Sequence, residues 1–353
     1  MEPTISRYET WELDALITNI ERPNPWMLRT FFGREKLFTS RTVEFDVVDH
    51  NERRLAPFVS PHVSGTPTRR DGYHTKSLSP AYIKPFDTVQ PSESYDRMPG
   101  EPYGGQLTPK QRFDRLVTGT LDRHIMMIDN TLEWMAAQAL VYGAITIKGE
   151  AYPAVRVDFQ RDASLNIDIL GAAQWTKPTS NPLQNIEDAS ILTRRISKGS
   201  VIDTLLMDGA TWQLLKQHAT VQDLLDDRFR RHLPGQTLTA IDMAPRNNIY
   251  EAQWVGTIGG RFNVWVYDAF YQDDNGNDLP FIPPYTVLGI ASGQLEGTQY
   301  FGGIFDIGAN LEARKTFSKS WITENPSGLN VLTQSAPLVA PKRPNAMFKL
   351  RVA

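Results

Sequence analysis

Thr108-Pro109-Lys110-Gln111-Arg112-Phe113, running on to Val141-Tyr142-Gly143, is the stretch from which the architecture is read. Thr108 has the hydroxyl of an N-cap, Pro109 suits the first helical position, and Gln111 stands where a capping box needs it. Phe113, Leu116, Val117, Leu121, Ile125, Ile128, Leu132, Met135, Ala139 and Leu140 then recur at helical spacing, and Gly143 supplies a stop. The spacing predicts a helix of about 45–50 Å at 1.5 Å per residue, long for a globular domain. Gly119 is its one internal weak point.

After this helix, Ile145–Tyr152 and Val155–Phe159 read as two strands joined by a turn. Pro182 to Leu233 turns helical again. Asn185 is expected to cap one helix through Ser197, Asp208 a second from Gly209 to His218, and a third is expected over Thr220–Arg231. Trp254 to Leu288 returns to strands, with Asn275-Gly276 as a hairpin turn. Ala346 to Val352 closes the chain as a strand expected to finish a sheet begun far upstream.

The residues before the helix have a different texture. Trp11, Leu13, Leu16, Ile17 and Ile20 suit a short helical face that Pro23 and Pro25 stop. Trp26-Met27-Leu28-Arg29-Thr30-Phe31-Phe32 is a dense apolar cluster, which must bury against its own core or a neighbouring subunit. Thr42–Val47 alternates as a strand does. Between it and residue 100 come Pro57, Pro61, Pro67, Pro80, Pro85, Pro91 and Pro99 and the paired charges Arg53-Arg54 and Arg69-Arg70. Prolines at that density suit extended edges and stiff turns, so this segment reads as an arm or a long loop with a partner.

Composition bounds the chemistry. The 353 residues are 41% hydrophobic and 22% charged with a net charge of -3, a globular balance without the basic excess of a protein that grips nucleic acid over its whole surface. The length suggests about two domains. With no cysteine, disulfides, thiolate nucleophiles and thiolate zinc sites are excluded. Met1-Glu2-Pro3-Thr4 lacks the features of a signal peptide and no apolar run is long enough for a bilayer, so a chain that begins soluble in a cytoplasm is expected.

Chemical motifs are weak throughout. His50, His62 and His74 are evenly spaced without metal-ligand geometry. Around Asp273-Asp274-Asn275-Gly276-Asn277-Asp278, an EF-hand register would place Tyr271 first and Ile282 last, so a solvated hairpin tip is expected instead. Glu187-Asp188 and Asp226-Asp227 are adjacent on helices and do not face each other. No Gly-x-Ser-x-Gly is present, and Gly256-Thr257-Ile258-Gly259-Gly260 lacks a phosphate-loop lysine and reads as a turn between strands. Catalytic, cofactor and metal residues are therefore expected to be none.

The chain resembles the major capsid protein E family of lambda-like tailed bacteriophages. The residues that carry the resemblance are Pro25–Phe32, Ala56–Pro61 with Val63-Ser64-Gly65, Ser79–Pro85, Gly149–Tyr152 and Thr333–Leu338, in the family's order. Pro182 to Gly256 matches least well. The resemblance implies an α+β fold, the capsid fold of tailed phages and herpesviruses. Its layout would be an N-terminal arm at 1–41, an extended loop at 42–100, a peripheral domain at 101–181 with a spine helix at 109–142, an axial domain at 182–325, and peripheral strands at 326–353.

It further implies a non-enzymatic subunit that assembles through hexamers and pentamers into an icosahedral head, with a scaffold protein, a portal, a decoration protein and packaged double-stranded DNA as partners and no membrane. A carboxylate-based soluble hydrolase and a non-viral compartment shell of the same fold are the alternatives. Trp26, Phe31 and Phe32 are expected at an intersubunit interface, as are Arg53, Arg54, Arg69, Arg70, Lys76 and Lys84, though each charge taken singly reads as solvated. Arg228, Arg230 and Arg231 face either DNA or a neighbour's acidic residues, such as Asp223, Asp226 or Asp227, with the protein partner favoured.

Overall fold

The computed structural model describes residues 8, 10, 12–13, 25–39, 42–48, 58–59, 61–62, 64, 73–78, 80–98, 101, 107–149, 152–218, 221, 252–273 and 275–353. Helix Pro109–Tyr142, here α2, is present over the predicted span. Thr108 Oγ1 accepts from the Gln111 backbone N–H (3.3 Å), and the Gln111 side chain accepts from the Thr108 N–H (2.9 Å). The far end stops at Gly143, whose φ of +64° is in the left-handed region that glycine enters without strain.

Arg161 completes that terminus from outside the helix. Its guanidinium donates to the carbonyls of Leu140 (2.6 Å) and Val141 (2.8 Å), which the helix cannot satisfy itself. A cation there also opposes the negative end of the helix dipole. Burial brings the Arg161 guanidinium down to about 10, against the pull of Asp158.

Two bodies of strands lean on α2. Strands β15 (Phe317–Glu324) and β16 (Ser327–Gln334) form a long antiparallel hairpin, and β4 (Phe86–Val89) adds to the other side of β16. Val89, Leu329 and Val331 face Phe113, Val117 and Leu121 of the helix, with Leu13 of the N-terminal stretch closing the cluster. Strand β17 (Pro337–Pro341) packs against the rest of α2 and pairs with β14 (Gly297–Phe301), which in turn pairs with β1 (Arg34–Leu37).

The second body is a six-stranded mixed sheet ordered β7-β18-β13-β8-β10-β9. Its members are β7 (Asn166–Asp168), β8 (Thr204–Met207), β9 (Gln253–Ile258), β10 (Phe262–Val266), β13 (Thr286–Ile290) and β18 (Met347–Arg351). Successive residues serve two cores: Leu205, Met207, Val287, Phe348 and Leu350 face one side, while Leu206, Leu288 and Met347 face the other. This two-sided burial explains the unbroken apolar runs of these strands. Helices α3 (Pro182–Ile196) and α4 (Gly209–Gln217) contribute Ile186, Ala189 and Leu215 to one of those cores.

The remaining pairs are hairpins. They are β2 (Val43–Val48) with β3 (Tyr73–Leu78), β5 (Ala144–Gly149) with β6 (Tyr152–Asp158), and β11 (Phe270–Gln272) with β12 (Asp278–Pro280). The chain's last strand does finish a sheet begun far upstream, since β18 pairs in parallel with β7.

Several expected boundaries move. The cap of α3 is Asn181, which accepts from Gln184 N–H, and not Asn185, because Pro182 already occupies the first helical turn. Asp208 caps α4 as expected. Of the helix expected over Thr220–Arg231, and of the stretch from Trp11 to Ile20, all but Leu13, Glu12 and Val221 lies outside the described residues. The glycine run at 256–260 is a turn only at its end, Gly256 to Ile258 being part of β9. The division expected at 325/326 falls inside the β15–β16 hairpin, and β18 belongs to the sheet of β8, β10 and β13. The hairpin is local, Glu324 facing Ser327 across a two-residue turn, whereas β18 is drawn to its sheet by pairing with the distant strands β13 and β7.

Candidate assembly surfaces

The apolar cluster at 26–32 is built into the chain's own core. Trp26–Phe31 forms a six-residue helix, α1, preceded by Pro25, which has no side-chain acceptor with which to cap it. The cap comes from Glu133 on α2 instead. One carboxylate oxygen accepts from Met27 N–H (2.8 Å), the other from Leu28 N–H (2.9 Å), and Tyr267 OH donates to the first at 2.9 Å. A carboxylate at a helix N-terminus satisfies orphan donors and meets the positive end of the dipole.

Around this clasp Met27, Leu28, Phe31 and Phe32 are buried, and Trp26 packs tilted against Trp265 with ring centroids 4.9 Å apart. Gln299 donates to the Phe32 carbonyl at 2.7 Å, closing the other end of α1. The interface expectation is therefore corrected for Phe31 and Phe32. At 3% and 0% exposure they have no surface to offer a neighbour, because the chain's own α2, β10 and β14 supply the apolar partners. Trp26 keeps a partly exposed edge.

The base of the segment expected as an extended loop is also anchored. Ile83 and Ser335 exchange backbone hydrogen bonds, Thr333 N–H donates to the Pro85 carbonyl (3.1 Å), and Tyr82 OH donates to Gln334 (2.7 Å). Strand β4 then runs along β16. Beyond this base, β2 and β3 pair in register from Val43↔Leu78 to Val48↔Tyr73, as a two-stranded ladder with no third strand among the described residues.

Of the charges expected on the loop, Lys84 is exposed at this base, with its ammonium 4.8 Å from the Tyr82 ring centre. Lys76 is on β3. Arg53, Arg54, Arg69 and Arg70 lie outside the described residues, as do Arg228, Arg230 and Arg231 and His50. His62 is exposed in a turn and His74 is on β3. Glu187 and Asp188 are neighbours on the exposed part of α3. At the β11–β12 tip the Asp273 carboxylate accepts from the backbone N–H groups of Asn275 (2.9 Å) and Asn277 (2.8 Å), which hold it below the usual carboxylate range. That is a hairpin closing on itself. Among the described residues no group of three or more His, Asp or Glu is placed to hold a metal ion, and no helix is long and apolar enough to cross a membrane.

Three titratable residues on the buried side of α2 are not marked out by any sequence motif: His124, Asp129 and Glu133. Their positions continue the apolar stripe, His124 being three residues after Leu121 and four before Ile128, so the helical period itself was the available signal. His124 lies between Thr333 Oγ1 (3.1 Å from Nδ1) and Asp87 of β4 (3.4 Å from Nε2). Burial pushes its imidazole below the ordinary 6.5, against the pull of Asp87. A depressed basic group binds protons better in the unfolded chain, so its contribution is complete above 6.5 and is lost as pH falls through the depressed value. The melting temperature of the unassembled subunit is expected to begin falling below pH 6.5, and His124→Asn to flatten that first decline; an unchanged profile in the variant would contradict this.

A second acid-sensitive clasp precedes α2. Glu101 takes a bidentate pair from Arg112 (3.0 and 2.9 Å) and further bonds from Leu107 N–H and Met98 N–H. The Arg112 hydrogen bonds lead in holding its carboxyl at about 2, so its loss falls between 4.5 and about 2, well separated from that of His124.

These contacts tie segments distant in the sequence to α2 and β16, and the match to known proteins runs over nearly the whole chain. The family described as phage major capsid protein E matches residues 9–352. The chain belongs to that family. The major capsid protein of Escherichia phage lambda is 27% identical over 356 residues, covering 99% of this chain and 100% of that protein. The major capsid protein of Enterobacteria phage P21 is 26% identical, covering 92% and 93%. A solved structure described as a capsid protein of an E. coli CFT073 prophage superposes with a TM-score of 0.74 at 20% identity, covering 99% of this chain and 100% of that one.

The α+β capsid fold implied by the resemblance is therefore the fold of this chain, and the capsid proteins it matches point to a structural role. The Glu133 clasp ties helix α1 to α2, and the β4–β16 ladder ties residues 86–89 to the long hairpin.

Proposed function

We propose that this chain is the shell-building subunit of a tailed-phage head, its copies meeting in rings of six and five to enclose double-stranded DNA. The observation that carries the reading is the family match from residue 9 to residue 352, which covers nearly the whole chain. Residues 1–41 act as the arm and 42–100 as the extended loop. The peripheral domain takes 101–181 and the C-terminal strands, together with the β15 hairpin strand, and the axial domain takes most of 182–325.

The β2–β3 ladder supports the lapping role. An isolated two-stranded hairpin is marginal in water, and burial against a neighbouring subunit supplies the missing stability. Function then lies in many moderate contacts whose sum resists internal pressure. A separate scaffold, a portal and a decoration protein are the partners of such a subunit. DNA contact through Arg228, Arg230 and Arg231 is weak and non-specific, or those residues pair with a neighbour. The subunit forms in the host cytoplasm and ends in the virion.

The test is assembly. Purified subunit, alone or co-expressed with a scaffold, is examined by negative-stain microscopy and sedimentation velocity. Rings or closed shells are expected. A chain that stays monomeric under both conditions sinks the reading.

A further inference from the structure

Between β14 and β15 the chain makes a compact lobe, residues 303–315. It is closed at its neck by a bridge between Gly303 and Ala313 and by Ile304 N–H donating to the Glu312 carbonyl at 3.2 Å. The lobe has a small core of its own, in which Ile304 and Ala309 pack on Phe317 with Tyr82 beside them. Yet three large apolar side chains of the same lobe face water: Phe305 at 63% exposure, Ile307 at 90% and Leu311 at 63%. A segment that buries Ile304 while holding out Ile307 is not merely unfolded surface.

The outward pose is held firmly. Asp306 accepts from Lys319, from Gln334 (2.8 Å) and from Gly308 N–H (2.9 Å). Tyr82 OH accepts from Phe305 N–H at 3.0 Å, and the two rings stack with centroids 5.6 Å apart. Asn310 and Leu311 adopt φ of +53° and +58°, and for a leucine that left-handed conformation is strained. Strain retained by surrounding ties, around exposed apolar groups, is a mark of a surface preorganised for a partner.

The charges beside it narrow the partner. Arg314 pairs with Glu312 at 3.1 Å and Lys315 with Glu35 at 2.7 Å, so cations and anions at the rim cancel in pairs. Such a rim does not select a polyanion, which needs uncompensated positive charge. It complements a surface that is itself nearly balanced, and a chain with 37 Lys and Arg against 40 Asp and Glu provides one.

We infer that the 303–315 lobe is a contact between copies of this chain, with Phe305, Ile307 and Leu311 inserted against a different face of a second copy. The inference rests on the shell reading and assigns one of its interfaces.

Because the chain has no cysteine, Ile307→Cys introduces a single thiol. Its reaction with a maleimide dye is followed in the unassembled subunit and in purified particles made from this chain alone. Labelling is expected to be fast in the subunit and slower by about tenfold or more in particles, as for a side chain taken into an interface core. Equal labelling in both overturns the inference while leaving the shell reading intact, and so does protection that appears only when another head protein is added. A wild-type chain that forms no particles either alone or with a scaffold sinks both together. Ile307→Asp gives a second readout: a subunit that melts as wild type does but forms at most about a tenth of the particles, because an unpaired charge at an apolar contact is excluded. Particle yield equal to wild type in that variant also overturns the inference.

Discussion

Replacing Glu133 by alanine is expected to destabilise the subunit by about 3–5 kcal/mol, the range for removing one partner of a buried, charged hydrogen-bond network. Three donors lose their acceptor at once: Met27 N–H, Leu28 N–H and Tyr267 OH, the two backbone groups lying 2.8 and 2.9 Å from the carboxylate. Water cannot replace it easily, because Glu133 is 3% exposed and α1 is walled by apolar side chains. Pro25 offers no substitute cap, so the N-terminus of α1 would lose the carboxylate that caps it.

Urea denaturation of the unassembled subunit measures the loss. Proteolysis at 25–32 under native conditions then asks whether the arm root opens before the rest of the chain. Glu133→Gln keeps an acceptor for one of the donors and is expected to fall between alanine and wild type. A Glu133→Ala variant within about 1 kcal/mol of wild type, inside the range of an ordinary net hydrogen bond, would show that the clasp does not hold α1.

Gly297→Ala attacks the same junction from the other side. A Cβ on Gly297 would stand 2.2 Å from the Phe31 carbonyl oxygen and 2.5 Å from a ring carbon of Phe32. The ring has limited room to turn, and the carbonyl has less, since it ends α1. Strand β14 is fixed in place by β1 on one edge and β17 on the other, so neither side of the contact yields easily. A cost of about 3 kcal/mol or more is expected, at the upper end for an overpacked core, seen as a fall in soluble yield and in melting temperature. Normal yield with an unshifted melt would mean that β14 and α1 separate more readily than their packing indicates. In Gly297→Ala combined with Phe32→Leu, part of the loss is expected to return, because the smaller side chain relieves the ring contact but not the carbonyl contact.

Both predictions concern residues that the sequence did not single out. Glu133 is separated from Met27 by 106 positions, and nothing local to either distinguishes the pair. The dense apolar cluster at 26–32 has two ways to bury, and sequence spacing does not choose between them; the interface expectation for Phe31 and Phe32 comes from the resemblance. The choice was made by β14, β10 and the buried carboxylate, which are distant in sequence and adjacent in space. His124 was hidden for a different reason: an isolated histidine on a helix has no meaning until the strands that cover it are known, and here they are β4 with Asp87 and β16 with Thr333.

The helix at 109–142, its Thr108-Gln111 capping box, its Gly143 stop, the Asp208 cap and the Asn275-Gly276 hairpin were legible from the sequence because each is decided within about four residues by backbone hydrogen bonding and conformational preference. Family membership was legible too, since it rests on the order of short segments along the whole chain. Only the tertiary structure decided where the 26–32 cluster is buried, which sheet the last strand joins, and that the lobe at 303–315 keeps three apolar side chains in water. Those depend on which strand edges and helix faces meet across a hundred residues or more, and the chain's local chemistry leaves that open. The long helix is the part the sequence determined by itself; what it holds, through Glu133 at one level and His124 at another, is what folding added.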